Sequence, residues 1–148
     1  MRSLIGTWRL VDWTADIGSR VVRPFGGTVV GLLTYTDDGR MWAALMKEDR
    51  QALNTSSIRG ADARSRASAA AGYISYAGAY TIDGDEVHHD VEVSLFPDWV
   101  GDVQTRQIAW VDVDGEDLLE LSYVQPGNGS DATNTLRWRR IESSKESP

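Results

Sequence analysis

Apolar and polar residues alternate with a period of two through most of this chain, the spacing of β-strands with one buried face. Residues 6–13 place Trp8 and Leu10 on one face and Arg9 and Val11 on the other. Residues 20–25 are a short β-branched run ended by Pro24-Phe25-Gly26-Gly27. Residues 28–36 turn through Asp37-Asp38-Gly39 into 40–46, and 73–82 turn through Asp83-Gly84-Asp85 into 86–96. Residues 102–113 turn through Asp114-Gly115-Glu116 into 117–125, and Pro126-Gly127-Asn128-Gly129 leads into 131–141. Asp-Gly between alternating runs predicts tight hairpins, because both residues tolerate the positive φ that such turns need. The series predicts about eight main strands joined mostly by hairpins. A meander of this kind closes into an up-and-down barrel, which removes its free edges.

One stretch interrupts the period. Residues 54–72 are rich in Ser, Ala and Arg, and 61–71 are alanine-rich with Gly72 behind them. They predict a short helical insertion near 60–72 without a strong apolar stripe, lying on the surface or across a barrel opening. It reads equally as a lid or as a plain crossover. The fold class is therefore all-β, an antiparallel barrel with one helical insertion, as a single domain over residues 1–142. The polar tail at 143–148 is expected to be disordered.

Composition narrows the partners. The formal net charge is -7, which offers no basic surface for phosphates and argues against nucleic acid. There is no cysteine, which excludes disulfides and thiolate chemistry and suits a cytoplasmic setting. No leader sequence is apparent and no apolar run reaches the roughly 20 residues needed for a membrane helix. Six tryptophans exceed what one barrel plug requires, so Trp42 or Trp99 is a candidate for a homodimer interface.

Gly6-Thr7-Trp8 opens the first strand, and a Trp so placed can plug one end of a small barrel. With it, several stretches resemble the lipocalin-like domain family of small bacterial and fungal barrel proteins. They are Leu4-Ile5-Gly6-Thr7-Trp8, Pro24-Phe25-Gly26, Gly31-Leu32-Leu33-Thr34-Tyr35-Thr36 and Asp38-Gly39-Arg40-Met41. Tyr76-Ala77-Gly78-Ala79-Tyr80, the block from His89 to Gly101, and Arg106 extend the match. The resemblance implies a calyx around a pocket for a small, largely apolar molecule. Members of this kind are carriers, and others are cyclases or isomerases of natural-product pathways. It also implies a basic residue on the last strand packed over the entering Trp, for which Arg137 and Arg139, flanking Trp138, are the candidates.

Alternation assigns the chemistry-bearing residues to faces. On 86–96 the apolar face carries His89, Val91, Val93 and Leu95, and His88, Asp90 and Glu92 fall on the other. An inward His89 is either a general acid or base or a satisfied core histidine. Arg106 shares a face with Ile108 and Trp110; it either enters the calyx, needing an anionic partner, or snorkels at the mouth. Tyr35, Tyr76, Tyr80 and Tyr123 fall on inward-reading faces, as core packing or as phenols that orient a ligand. Met41 and Trp110 would supply adaptable walls. His88, Asp90 and Glu92 spread over about 13 Å along their strand, too far for one metal ion. No metal or other cofactor is called for.

Two functions follow. The first is binding of a small hydrophobic or aromatic molecule, with Tyr35, Met41, Tyr76, Tyr80, His89, Val91, Arg106, Trp110 and Tyr123 around it. The alternative is a cofactor-independent cyclase, isomerase or dehydratase. In it, His89 and Tyr80 would move a proton while Arg106 holds an enolate or carboxylate.

Overall fold

The computed structural model describes residues 2–142. Nine strands and one α-helix follow in the order β1 (Gly6–Ile17), β2 (Arg20–Val22), β3 (Val29–Tyr35), β4 (Arg40–Lys47), α1 (Ala63–Ala71), β5 (Tyr73–Asp83), β6 (Glu86–Ser94), β7 (Val103–Val113), β8 (Glu116–Gln125) and β9 (Ala132–Arg140). The expected disorder of 143–148 lies outside the described residues. All pairings are antiparallel. β3 to β9 follow one another around the sheet, and β1 joins β3 on one side and β9 on the other. These eight strands form a closed barrel, and β2 is an extra strand hairpinned to the far end of β1. The alternating sequence explains the closure: each strand has one apolar face, and only a barrel buries all of them without leaving an edge.

The hairpin turns fall where the Asp-Gly signals put them, with positive φ at Gly39, Gly84 and Gly115. α1 is capped by Asp62, whose carboxylate accepts from the Ser65 N–H at 2.7 Å. It buries no residue and serves as the crossover from β4 to β5.

Two bulges change the inward face, and neither is visible in the alternation. In β1 the register against β9 slips at Val11, between Leu10 and Asp12. Strict alternation would turn Trp13 outward with Arg9 and Val11; the extra residue turns it into the core, where it is buried. In β6 the slip falls at Glu92, since Gly78 faces Val91 while Ala77 faces Val93. The expected inward positions of Val93 and Leu95 are therefore wrong: Val93 is 61% exposed and Leu95 also faces solvent. Gly78 makes room for this bulge, because a Cβ there would lie 1.8 Å from the Asp90 carbonyl oxygen.

The narrow end of the barrel is closed by Trp8. Its indole N–H donates to the Leu4 carbonyl at 2.9 Å, and Trp110 packs against it with ring centroids 5.9 Å apart. The cation over Trp8 is Arg140, 4.2 Å from the ring centroid, in place of the expected Arg137 or Arg139. The reason is parity. Leu136 and Trp138 point inward, so Arg137 and Arg139 point outward, where they pair with Glu120 and Glu116. Arg140 donates to the Ile5 carbonyl at 2.6 Å and to the Ser3 carbonyl at 2.5 Å, tying the chain before β1 to the plug. Gly6, with φ 133°, admits this guanidinium, since a Cβ there would lie 2.5 Å from Arg140 Nη1.

Candidate functional site

At the opposite end of the barrel from Trp8, side chains of β1 and β3 to β9 surround a small cavity. Its walls are mainly apolar and aromatic: Trp13, Leu33, Leu45, Ile74, Leu121, Leu136 and Trp138. Tyr76, Tyr123, His89 and Arg106 interrupt them with polar atoms. The cavity volume is about 50 Å³, and it is partly open to solvent. Trp99, on the short 3-10 turn Pro97–Trp99 between β6 and β7, lies against Tyr76 with ring centroids 5.5 Å apart and forms part of the wall.

His89 sits deepest and is 1% exposed. Both ring nitrogens are engaged: Nε2 with the Tyr35 hydroxyl at 2.7 Å and Nδ1 with the Tyr76 hydroxyl at 2.8 Å. Burial holds its pKa down at about 3, helped by the charge of Arg106 and by His88. The ring is therefore neutral near pH 7, with one nitrogen donating to a phenol and the other accepting from one. Burial also pushes the Tyr35 and Tyr76 phenols upward, so both stay protonated. Tyr35→Phe would leave a buried ring nitrogen without a partner. The expected loss is about 1–3 kcal/mol of folding stability, read by urea unfolding at pH 7. A variant as stable as the parent would show that the phenol does not hold the imidazole.

Arg106 is 8% exposed and enters the barrel interior. Its guanidinium stacks on the Tyr123 ring, 3.9 Å from the centroid. It donates to its neighbour's carbonyl on Thr105 at 3.1 Å and to the Gln104 side-chain oxygen at 3.5 Å. Among the described residues no carboxylate pairs with it.

Of the residues expected to form the site, Tyr76, His89, Arg106 and Tyr123 meet in the cavity wall. Tyr35 stands behind His89. Tyr80 packs on Tyr35 and donates to the Thr36 carbonyl at 2.6 Å. Met41 and Val91 are buried in the core beyond the wall, and Trp110 is at the plugged end beside Trp8. No residue of α1 lines the cavity. Trp42 is half-exposed on the outer surface, whereas Trp99 turns inward to the cavity. His88 faces away, with Nδ1 2.8 Å from the Thr105 hydroxyl, and Glu92 pairs with Arg40.

The sequence reading missed Trp13, Trp99 and Trp138 as wall residues. Trp138 had a signal in its alternation with Leu136 on β9. Trp13 was hidden by the bulge at Val11, and Trp99 lies in an irregular corner. Trp138 carries a further feature: its indole N–H is buried and has no hydrogen-bond partner among the described residues. Trp13, by contrast, donates to Asn134 Oδ1 at 3.0 Å.

No described helix is long and apolar enough to cross a membrane. The chain is 34% identical over 79 residues to the 4'-hydroxy-3'-methoxypropiophenone carrier protein ppsC of Aspergillus oryzae (strain ATCC 42149 / RIB 40). That alignment covers 47% of this chain and 68% of the relative. No solved structure matches the chain. The closed eight-stranded barrel agrees with the match to the lipocalin-like domain, which spans residues 5–141; the chain belongs to that family.

Proposed function

We propose that this protein is a carrier of a small aromatic molecule, held in the cavity between Trp13, Trp99, Trp138 and Arg106. The observation that carries the reading is the wall itself. Three indoles and two phenols offer flat apolar surface around a few fixed polar atoms, the pattern of a small-molecule site. The barrel fold and the carrier relative fit small-molecule binding in general; the aromatic class is our inference from the wall and from that relative's stated cargo.

The resting cavity is tighter than such a cargo. At about 50 Å³ it is smaller than the roughly 150 Å³ that accommodates benzene in other proteins. Loading therefore draws on the open mouth of the cavity, on movement of a side chain, or on both. Trp99 is the best placed to move, since the corner carrying it is exposed from Leu95 to Asp98, and it meets Tyr76 edge-on and Phe96 at a tilt.

Acid–base catalysis has less support. The ring of His89 is neutral and occupied at both nitrogens, and Tyr80 is committed to a backbone carbonyl. Neither is free to take a proton from a substrate.

The test is a titration with 4'-hydroxy-3'-methoxypropiophenone and a panel of related aryl ketones, read by tryptophan quenching and thermal unfolding. Saturable quenching is expected. So is a rise in Tm of roughly 5–10 °C at a hundredfold excess over Kd. A Trp99→Ala variant should retain binding with a smaller fluorescence change. The carrier reading fails if no aromatic compound in the panel stabilises or quenches the protein.

A further inference from the structure

The polar atoms of the cavity are unbalanced in one direction. Among the described residues Arg106 is the sole charged side chain in the wall, and its neighbours are a carbonyl, an amide oxygen, the Tyr123 ring and the Tyr76 hydroxyl, none with a full negative charge. A guanidinium has five N–H donors, and these neutral partners do not use all of them. Burying a charge without a counter-charge is strongly unfavourable. Trp138 is 2% exposed and lines the same wall, and its buried indole N–H is a second donor without an acceptor among the described residues. An unsatisfied buried donor is itself destabilising. No carboxylate lines the cavity, and burial keeps the Tyr76 and Tyr123 phenols in their uncharged form.

Two independent side chains thus lack the same thing. We propose that the cavity takes a monoanionic aromatic ligand, an aryl carboxylate or a phenolate. Its negative oxygen pairs with Arg106, and a further oxygen acceptor meets the indole N–H of Trp138. This rests on the carrier reading and sharpens it, because a wall built only for a neutral aromatic has no use for an uncompensated cation. The anion supplies the missing counter-charge, and a charge-assisted hydrogen bond in a mainly apolar wall is among the stronger polar contacts available. The neutral state of His89 preserves the arithmetic: Arg106 remains the single charge next to the ligand.

The test uses two near-isosteric probes, 4-methoxybenzoate and 4-methoxyacetophenone, which differ chiefly in charge. Binding is measured by calorimetry and tryptophan quenching at pH 7. The benzoate is expected to bind roughly tenfold or more tightly than the ketone, the effect of one charged hydrogen bond. Arg106→Met should abolish that preference by weakening the benzoate far more than the ketone, and Arg106→Lys should recover part of it. Trp138→Phe should weaken benzoate binding roughly two- to tenfold and retain the preference. Near-ultraviolet circular dichroism establishes that each variant is folded; if Arg106→Met is not, Arg106→Lys and the probe pair with the parent protein still decide. Ketone binding equal to or tighter than benzoate binding overturns the anion assignment and leaves the carrier reading standing. So does a preference that survives Arg106→Met. Failure of both probes, together with the aryl ketone panel, overturns both.

Discussion

Truncating Trp8 to alanine is expected to remove about 3–5 kcal/mol of folding stability, the range for deleting a large buried aromatic ring. Marginal stabilities of about 5–15 kcal/mol make this a large fraction of the total. Trp8 is 1% exposed and does three things at once. It fills the narrow end of the barrel, its N–H satisfies the Leu4 carbonyl, and its face receives Arg140. Arg140 in turn fixes the chain at Ser3 and Ile5, so losing the ring frees the seam where β1 and β9 close the sheet. Trp42→Ala is the control. Trp42 is half-exposed on the outer surface, and truncations there should stay within roughly 0.5 kcal/mol. Urea midpoints at constant m value make the comparison. A Trp8→Ala variant within 1 kcal/mol of the parent would mean that the plug is dispensable for closure.

The barrel was legible because its local and global signals agree. Each Asp-Gly turn sits between alternating runs, and each proves to be a hairpin with glycine at positive φ. The helix at Ala63–Ala71 was legible for the opposite reason, as the stretch where the period of two disappears. The misplaced faces of Trp13, Val93 and Leu95 share one physical cause. A bulge adds one residue to one strand of a pair, and nothing in composition marks Val11 or Glu92 as that residue. Every position beyond the slip then changes face. Trp13 gains a place in the cavity wall, and Val93 loses its place in the core. β5, β7 and β8 carry no extra residue of their own; on them Tyr76 and Tyr123 face inward as alternation predicts, and Arg106, for which alternation left an inward and a mouth position open, also lines the cavity. Arg140 shows a related limit. Alternation from Trp138 places Arg140 inward, yet its role depends on Gly6, a residue at the other end of the chain.

His89 makes folding stability depend on pH in a defined direction. Its folded pKa is about 3, against 6.5 for the free side chain. Above pH 6.5 the ring is neutral in both states and the stability is fully present. Between pH 6.5 and 3 the unfolded chain binds a proton that the folded chain refuses, so stability falls as pH falls. The slope is about 1.4 kcal/mol per pH unit and the total loss is on the order of 5 kcal/mol at the acid end. His89→Gln should be less stable at pH 7, since it disturbs the Tyr35 and Tyr76 hydrogen bonds, but its stability should lack this slope. The clearest window is pH 6.5 to 5.5, above most of the range in which carboxylates titrate. Parallel curves for parent and variant there would mean that His89 titrates normally and is not enclosed. The physical cause of the refusal is also its use. A protonated His89 would set a second cation beside Arg106 in the same mainly apolar wall, and burial together with the Arg106 charge keeps the ring neutral near pH 7.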